Sequence, residues 1–446
     1  MLTEIANWGN YPRVKSEILN FSKTDELESL LKSTDQLTIR GAGLSYGDAS
    51  LSASILSTNS FNRIISFDHE TGVITVESGV TLEQILMFSV PKGWFLYVTP
   101  GTKFITVGGA IGGDIHGKNH HVEGSFCNYV MSMNIMLPNG TILTCNRESN
   151  EDIFHTICGG VGLGAFIISA SIKLRKISTS FIKQTNIIVN NLDQMIQLLI
   201  ENLTTTYVVA WIDCLTNLKS IGKGVLMLGE HAEPNEVNTK NLLEIHKQPN
   251  FNVPIFPPIN ILNSYTIKVF NLLYFHKHKL FPKRFITHYD SFFYPLDKIK
   301  NWNRLYGKNG FLQYQFVIPT DSMKTGLSEI LKRILRSRQA SFLTVLKILG
   351  KSENVMSFPM PGATLALDFP VNKKVLQLLD SLDTIIHDLG GRVYLVKDAR
   401  MKPNFFHKSY PNINKFQEIL NTLDPNHKFS SHLAERLKIR RPNEPK

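Results

Sequence analysis

Val107-Gly108-Gly109-Ala110-Ile111-Gly112-Gly113-Asp114-Ile115-His116-Gly117-Lys118-Asn119-His120-His121 sets runs of glycine directly beside ionisable side chains. Backbone without a Cβ approaches a planar or anionic ligand closely and reaches φ values closed to other residues. His116 and Lys118 follow the glycines at once. A group able to move a proton and a group able to steady negative charge therefore fall at the edge of whatever lies there. The combination points to a cofactor site rather than a plain turn.

Two more glycine clusters lie on either side. Gln36-Leu37-Thr38-Ile39-Arg40 reads as a short strand running into Gly41-Ala42-Gly43-Leu44-Ser45-Tyr46-Gly47-Asp48, a strand-to-loop break suited to holding a pyrophosphate. The fingerprint G-x-G-x-x-G is not met, because Tyr46 stands where the third glycine belongs and no helix opens after Gly43; a P-loop is absent as well. Downstream, Gly159-Gly160-Val161-Gly162-Leu163-Gly164 precedes the β-branched run Ala165 to Ile172. Each cluster alone suits an ordinary tight turn, whereas three within one N-terminal segment favour a shared ligand.

In this order, the 40–48 segment, Val76-Glu77-Ser78-Gly79-Val80-Thr81-Leu82-Glu83-Gln84-Ile85-Leu86, Thr99-Pro100-Gly101-Thr102 and the 107–121 segment resemble the FAD-binding fold of the vanillyl-alcohol-oxidase, or PCMH-type, superfamily. Within it the chain is most similar to the decaprenylphosphoryl-β-D-ribose 2′-oxidases of bacterial cell-wall arabinan synthesis. That likeness continues through Phe311-Leu312-Gln313-Tyr314-Gln315, Met356-Ser357-Phe358-Pro359-Met360-Pro361-Gly362 and Lys397-Asp398-Ala399-Arg400. It reaches Leu423-Asp424-Pro425 and Ala434-Glu435-Arg436-Leu437, and so covers nearly the whole chain. The resemblance implies an α+β fold of two domains. An FAD-binding domain would span 1–178, an inserted α+β substrate (cap) domain 179–390, and a C-terminal segment 391–446 would complete the FAD-binding domain.

The resemblance also implies the site. FAD would be held by Arg40, Gly41, Ala42, Gly43, Leu44, Ser45, Tyr46 and Gly47; by Pro100, Gly101 and Thr102; by Val107, Gly108, Gly109, Gly112, Gly113, Ile115, His116, Gly117 and Asn119; and by Gly160, Gly162, Gly164, Ile167 and Tyr394. Many relatives attach FAD covalently to a histidine after the first glycine loop, where this chain has Leu44, so noncovalent FAD is expected. His116, Lys118 and Lys397 take the catalytic positions, and Tyr294, Gln313, Gln315, Thr364, Ala366 and Lys397 face the substrate. Mycobacterial relatives carry Asn and Cys where this chain has Thr364 and Ala366.

The residues bear their own readings beside these. Oxidising a secondary alcohol requires a hydride acceptor and a polar group to take or stabilise the hydroxyl proton; His116 fits, although a loop histidine is also satisfied by backbone alone. Lys397 ends the apolar run Val393-Tyr394-Leu395-Val396, read as a strand, where a lysine ordinarily reaches solvent; a cation there would stabilise reduced flavin or an alkoxide. Gln313 and Gln315 alternate with Tyr314 and share one strand face, suited to sugar hydroxyls or simply to water. His116, His120 and His121 have no carboxylate or thiol at metal-site spacing, so no metal is expected.

Composition agrees with a multi-domain globular enzyme: 446 residues, 43% hydrophobic and 19% charged. Cys127, Cys145, Cys158 and Cys214 form no C-x-x-C pair, and the N-terminus lacks a signal-peptide pattern, so a cytoplasmic location is expected. The net charge of +11 would favour anionic surfaces, including peripheral contact with the inner membrane face. No motif accompanies the charge to suggest nucleic acid. From Tyr265 to Tyr294, lysines and Arg284 interleave with aromatics, which reads either as a lipid-facing or isoprenoid-gripping segment or as a partly buried helix with solvated lysines.

Element signals are local. Thr24 is placed as the N-cap of a helix carrying Leu27, Leu30 and Leu31. Hairpins are expected at 63–77 and 131–145, and Thr81 with Gln84 forms a capping box. Strands are expected at 207–212 and 224–228, within a second domain that begins near 179.

The expected activity is FAD-dependent oxidation of a sugar secondary hydroxyl to a ketone, at the ribose 2′-hydroxyl of a polyprenyl-phosphoryl ribose. An NAD(P)H-dependent ketoreductase partner would complete the epimerisation to the arabinose form. One alternative is an aldonolactone oxidase, whose members read His-Gly-Thr-Gly where this chain has His116-Gly117-Lys118-Asn119. Another is a non-catalytic flavin-binding protein, disfavoured by His116, Lys118 and Lys397 together.

Overall fold

Residues 2–247, 251–257 and 261–440 are described by the computed structural model of the protein, in which helices and strands alternate along the chain. The β-branched run after the third glycine cluster forms the strand Phe166–Lys176, the axis of a six-stranded sheet. It pairs antiparallel with Val73–Glu77, Val130–Met136 and Trp94–Leu96. The two expected hairpins flank it, Ile64–Asp68 with Val73–Glu77 and Val130–Met136 with Ile142–Cys145. Thr81 and Gln84 form their capping box on the helix Leu82–Ser89. The first helix corrects the expectation by one residue. It runs Thr24–Ser33 with Lys23 as N-cap, and the Glu26 carboxylate turns back to accept from the N–H groups of Ser22 and Lys23 at 2.8 and 3.3 Å.

A four-stranded sheet, in the spatial order Leu2–Ala6, Arg13–Asn20, Ser54–Ser57, Thr38–Arg40, delivers the first glycine loop. Thr38–Arg40 lies parallel to Ser54–Ser57 and ends at Arg40, where the loop departs. The C-terminal residues return to this sheet: Leu37 bridges Phe429, and Arg436 pairs with Asp48 at 2.8 Å and Asp398 at 2.9 Å. Residues 441–446 of the expected C-terminal segment lie outside the described residues.

The third sheet has eight strands, all antiparallel to their neighbours. Their order is Arg284–His288, Phe181–Val189, Gly224–His231, Tyr207–Ile212, Thr344–Leu349, Gly362–Pro370, Phe311–Pro319, Arg392–Val393. Its two faces differ for a reason visible in Phe311–Pro319. Leu312, Tyr314, Phe316 and Ile318 point into a core shared with residues of the helices Leu192–Glu201, Met323–Ser337 and Lys373–Asp388. The two-residue period puts Gln313, Gln315 and Val317 on the opposite face. In Gly362–Pro370, Leu365, Leu367 and Phe369 join the same core and leave Thr364, Ala366 and Asp368 beside the glutamines. A one-residue slip would turn the apolar set onto the site face and the polar set into the helix-packed core, so the apolar core fixes the register of the site face.

The run 393–396 departs from its expected strand. Pairing stops at Val393, and the chain turns through the 3-10 helix Leu395–Lys397. The Tyr394 hydroxyl donates to the Gly113 carbonyl at 2.5 Å and the Tyr46 N–H donates to the Val396 carbonyl at 3.0 Å. These bonds draw the backbone out of the sheet toward the glycine segments.

Candidate active site

The three glycine clusters meet. Thr106 Oγ1 accepts from the Gly109 N–H at 3.2 Å and caps Val107–Gly112, whose first N–H groups, of Val107 and Gly108, donate to the Val80 and Ser78 carbonyls at 2.8 Å. A Cβ on Gly41 would lie 2.1 Å from that same Thr106 Oγ1, so the first loop can seat on the second segment only without a side chain. The third cluster is pinned behind: the Gly159 N–H donates to the Ile111 carbonyl and the Val161 N–H to the Gly112 carbonyl, each at 2.9 Å.

Within this frame the expected cofactor residues divide. Among the described residues, no acceptor meets the N–H groups of Gly41, Ala42, Gly43, Leu44 or Ser45, with Gly43 at φ +68°, while the Arg40 guanidinium beneath is tied to Asn7 and to the Ala6 carbonyl at 2.9 Å. Among the described residues, nothing lies within 4 Å of a Cβ built on Gly101. Others make bonds or close contacts within the frame. Asn119 donates to the Tyr97 carbonyl at 2.8 Å, Thr102 Oγ1 accepts from the Phe104 N–H at 3.3 Å, Ile115 pairs with Ala110 and Phe126, Gly160 and Gly164 are tight against Thr156 and Leu420, and Ile167 is buried in its sheet. Pro100 follows Thr99 in the chain, and Gly117 is tight against Thr99, a Cβ there lying 2.8 Å from the Thr99 carbonyl oxygen.

His116 is buried where this frame meets the sheet face. Gln315 Nε2 donates to His116 Nε2 at 2.8 Å and to Thr364 Oγ1 at 3.2 Å, and the ring lies 5.2 Å from Tyr394 and 5.5 Å from Phe358. Its Nδ1 has no partner among the described residues. Burial, then the charges of Lys347, His120 and Lys397, hold the imidazole pKa well below its ordinary value, so the ring is neutral. His120 and His121 diverge from it, to Ser125 with Gly350 and to the Thr205 carbonyl, so the three histidines share no centre.

Lys397 reaches over the Tyr46 ring, 3.9 Å from its centroid. Burial brings its pKa down to about 7, Asp368 opposing and Lys347 assisting. Asp368, itself pushed up to about 7 by burial, accepts from Gln313 Nε2 at 2.7 Å. Lys118 Nζ donates to the Phe292 carbonyl and sits 4.2 Å above the Phe292 ring; burial and Lys347 bring its pKa down to about 7. The Tyr294 hydroxyl is bonded to Thr99 Oγ1 at 2.5 Å, which ties this fully buried residue to the 99–102 loop.

Sequence reasoning missed Lys347 and Asp368. Lys347 reaches the Gly117 carbonyl at 3.4 Å and is the common electrostatic neighbour of His116, Lys118, His120 and Lys397; burial lowers it to about 8. Its signal was a lone lysine inside the apolar strand Thr344–Leu349. Asp114, at φ +38°, was also passed over; its carboxylate accepts from Asn354 at 3.0 Å and from Ser357 at 2.5 Å, anchoring the 352–358 stretch beside His116.

Among the described residues, five N–H groups without an acceptor, an unpartnered imidazole nitrogen and Lys347 neighbouring both Lys118 and Lys397 fit a ligand that carries a pyrophosphate and a polar, electron-accepting ring, as FAD does. Residues 18–146 match the family of FAD binding domains. The chain is 31% identical over 449 residues to the decaprenylphosphoryl-beta-D-ribose oxidase of Mycolicibacterium smegmatis, covering 98% of this chain and 97% of that protein. More distant likenesses are to the L-gulonolactone oxidase of Mus musculus, 25% identical over 43% of this chain and 45% of that one, and to a D-lactate dehydrogenase of Anaerostipes hadrus, 26% identical over 37% of each. Fold, site and likeness together define an FAD-dependent oxidoreductase. Within that class the chain belongs to the decaprenylphosphoryl-ribose-oxidase family.

Proposed function

We propose that the protein oxidises the 2′-hydroxyl of a polyprenyl-phosphoryl-β-D-ribose to a ketone, the first half of an epimerisation that an NAD(P)H-dependent ketoreductase partner completes. Noncovalent FAD, when bound, supplies the hydride acceptor. Residues 1–178 and 391–446 form the flavin-binding unit and 179–390 the substrate unit, with the site face of the eight-stranded sheet turned to the sugar. The cytoplasmic face of the inner membrane is the expected location.

The observation that carries this reading is the neutral His116 held by Gln315 beside Lys118, Lys347 and Lys397. Gln313 and Gln315, on one strand face, suit sugar hydroxyls. Lys118 and Lys347 suit a phosphate, since anion binding repays cations held without carboxylate partners. Lys397 holds negative charge that develops as hydride leaves, and His116, with its free Nδ1, orients the reacting hydroxyl.

Anaerobic mixing with farnesyl-phosphoryl ribose tests the assignment. The flavin should bleach, and acid precipitation should release all FAD to the supernatant. Bleaching by L-gulonolactone with none by the lipid-linked sugar would replace this reading with a lactone oxidase. Flavin fluorescence that stays with the denatured protein would overturn noncovalent attachment.

A further inference from the structure

We propose that the outer face of the helix Ser264–Leu280 lies in the headgroup layer of an anionic lipid bilayer. This helix is apolar on two sides. Ile267, Asn271 and Phe275 are buried against the protein, with Phe275 packed on Trp211 and Val225. At 3.6 residues per turn, Tyr265, Val269, Leu272, Leu273 and Leu280 fall on the other side within an arc of about 100°. All five are exposed, Tyr265 by 86%, Leu273 by 64% and Leu280 by 83%, and Phe281, 60% exposed, extends the stripe. Of the helix residues in this arc only His276 is polar, and contiguous exposed apolar surface marks an interaction site.

Charge identifies the occupant. Lys268 and Lys279 border the stripe on one edge and Lys277 on the other, with Lys283 and Arg284 beyond the helix end; all five are exposed. Among the described residues none of them pairs with a carboxylate. From 245 to 289 the sequence holds six Lys or Arg and no Asp or Glu. A second copy presenting the same stripe would set lysine against lysine. An anionic membrane surface accepts both the apolar stripe and its basic borders.

The buried side of the helix leads to the site. Tyr274 packs on Trp211 at 4.8 Å, and Trp211 is the Cα partner of Val345, Val345 of Ala366, and Ala366 of Gln315. One cross-strand row of roughly 15 Å, three strand spacings, thus joins the docked helix to the residue that holds His116. Delivery of a lipid-linked sugar along this row rests on the substrate reading above; the docking itself does not.

The test uses the full-length flavin-loaded protein and vesicles of phosphatidylglycerol with phosphatidylcholine, against phosphatidylcholine alone. The parent should sediment with the anionic vesicles, and less so as salt is raised. Leu272→Glu with Leu273→Glu should stay in the supernatant while keeping its FAD and its melting temperature. Lys268→Gln, Lys277→Gln and Lys279→Gln together, a purely surface change, should weaken binding about a hundredfold, at about fivefold for each basic side chain near the membrane surface. A parent that ignores anionic vesicles overturns the docking. So does a parent dimer that the Leu272→Glu and Leu273→Glu pair converts to monomer without vesicle binding in either, since the stripe then covers itself. Vesicle binding as expected, with no bleaching by farnesyl-phosphoryl ribose, upholds the docking and removes the substrate reading alone.

Discussion

Lys397 shows how one residue's surroundings set its chemistry. Placed at the end of a short 3-10 turn above Tyr46 and beside Asp368, it has a pKa near 7, so its ammonium charge is present below about pH 7 and lost above it. If that charge holds the developing anion, kcat/KM should fall as pH rises through about 7, and the limb should be missing from Lys397→Ala. The same variant should keep its FAD and reduce it about a hundredfold more slowly or worse, a loss of a few kcal/mol of transition-state stabilisation. Near-normal reduction in stopped flow would remove Lys397 from the chemistry. Ala366 supports a second test. It lies between Gln315 and Val345 on the site face, and Cys127, Cys145, Cys158 and Cys214 are all buried. Mass spectrometry of the native protein should therefore find no thiol adduct at the site, while Ala366→Cys should gain one that bound FAD and substrate protect.

At the scale of elements, glycine works here by close approach as much as by conformation. Gly41 lacks the Cβ that would strike the Thr106 hydroxyl, and that hydroxyl also caps Val107–Gly112. Gly41→Ala should therefore disturb two glycine segments at once, at a cost near that of a lost N-cap, about 1 kcal/mol, plus the displaced loop. FAD affinity should fall at least tenfold, measured by fluorescence titration, with the far-ultraviolet circular dichroism unchanged. Local signals of this kind were legible: both hairpins and the Thr81 capping box stand where periodicity and turn chemistry placed them. The misplaced elements were those governed by particular hydrogen bonds that periodicity does not show. Glu26 displaced the first N-cap by one residue, and the bonds of Tyr394 and Tyr46 ended the 393–396 strand early.

Across the whole molecule, the site gathers Lys118 and Lys397 with depressed pKa values from distant parts of the chain, and this has a thermodynamic signature. Each lysine binds fewer protons folded than unfolded between about pH 7 and its ordinary 10.5, so its destabilising effect is complete below about pH 7 and is relieved as pH rises through that window. In the flavin-free protein, Lys118→Met with Lys397→Met should therefore melt higher than the parent at pH 7, with the gain shrinking toward pH 10. Calorimetry showing a gain that grows with pH would contradict the sign. Sequence alone determined the glycine clusters, the family likeness, the strand alternation of Gln313 and Gln315, and the presence of His116, Lys118 and Lys397, because these are properties of neighbours along the chain. Tertiary structure alone decided that Lys347 and Asp368 belong with them, that Gln315 rather than backbone holds His116, and that the Tyr294 hydroxyl turns to Thr99. Those facts depend on strand register and on one sheet face meeting a loop some 200 residues away, and burial of the opposite apolar face is the physical cause that sets both.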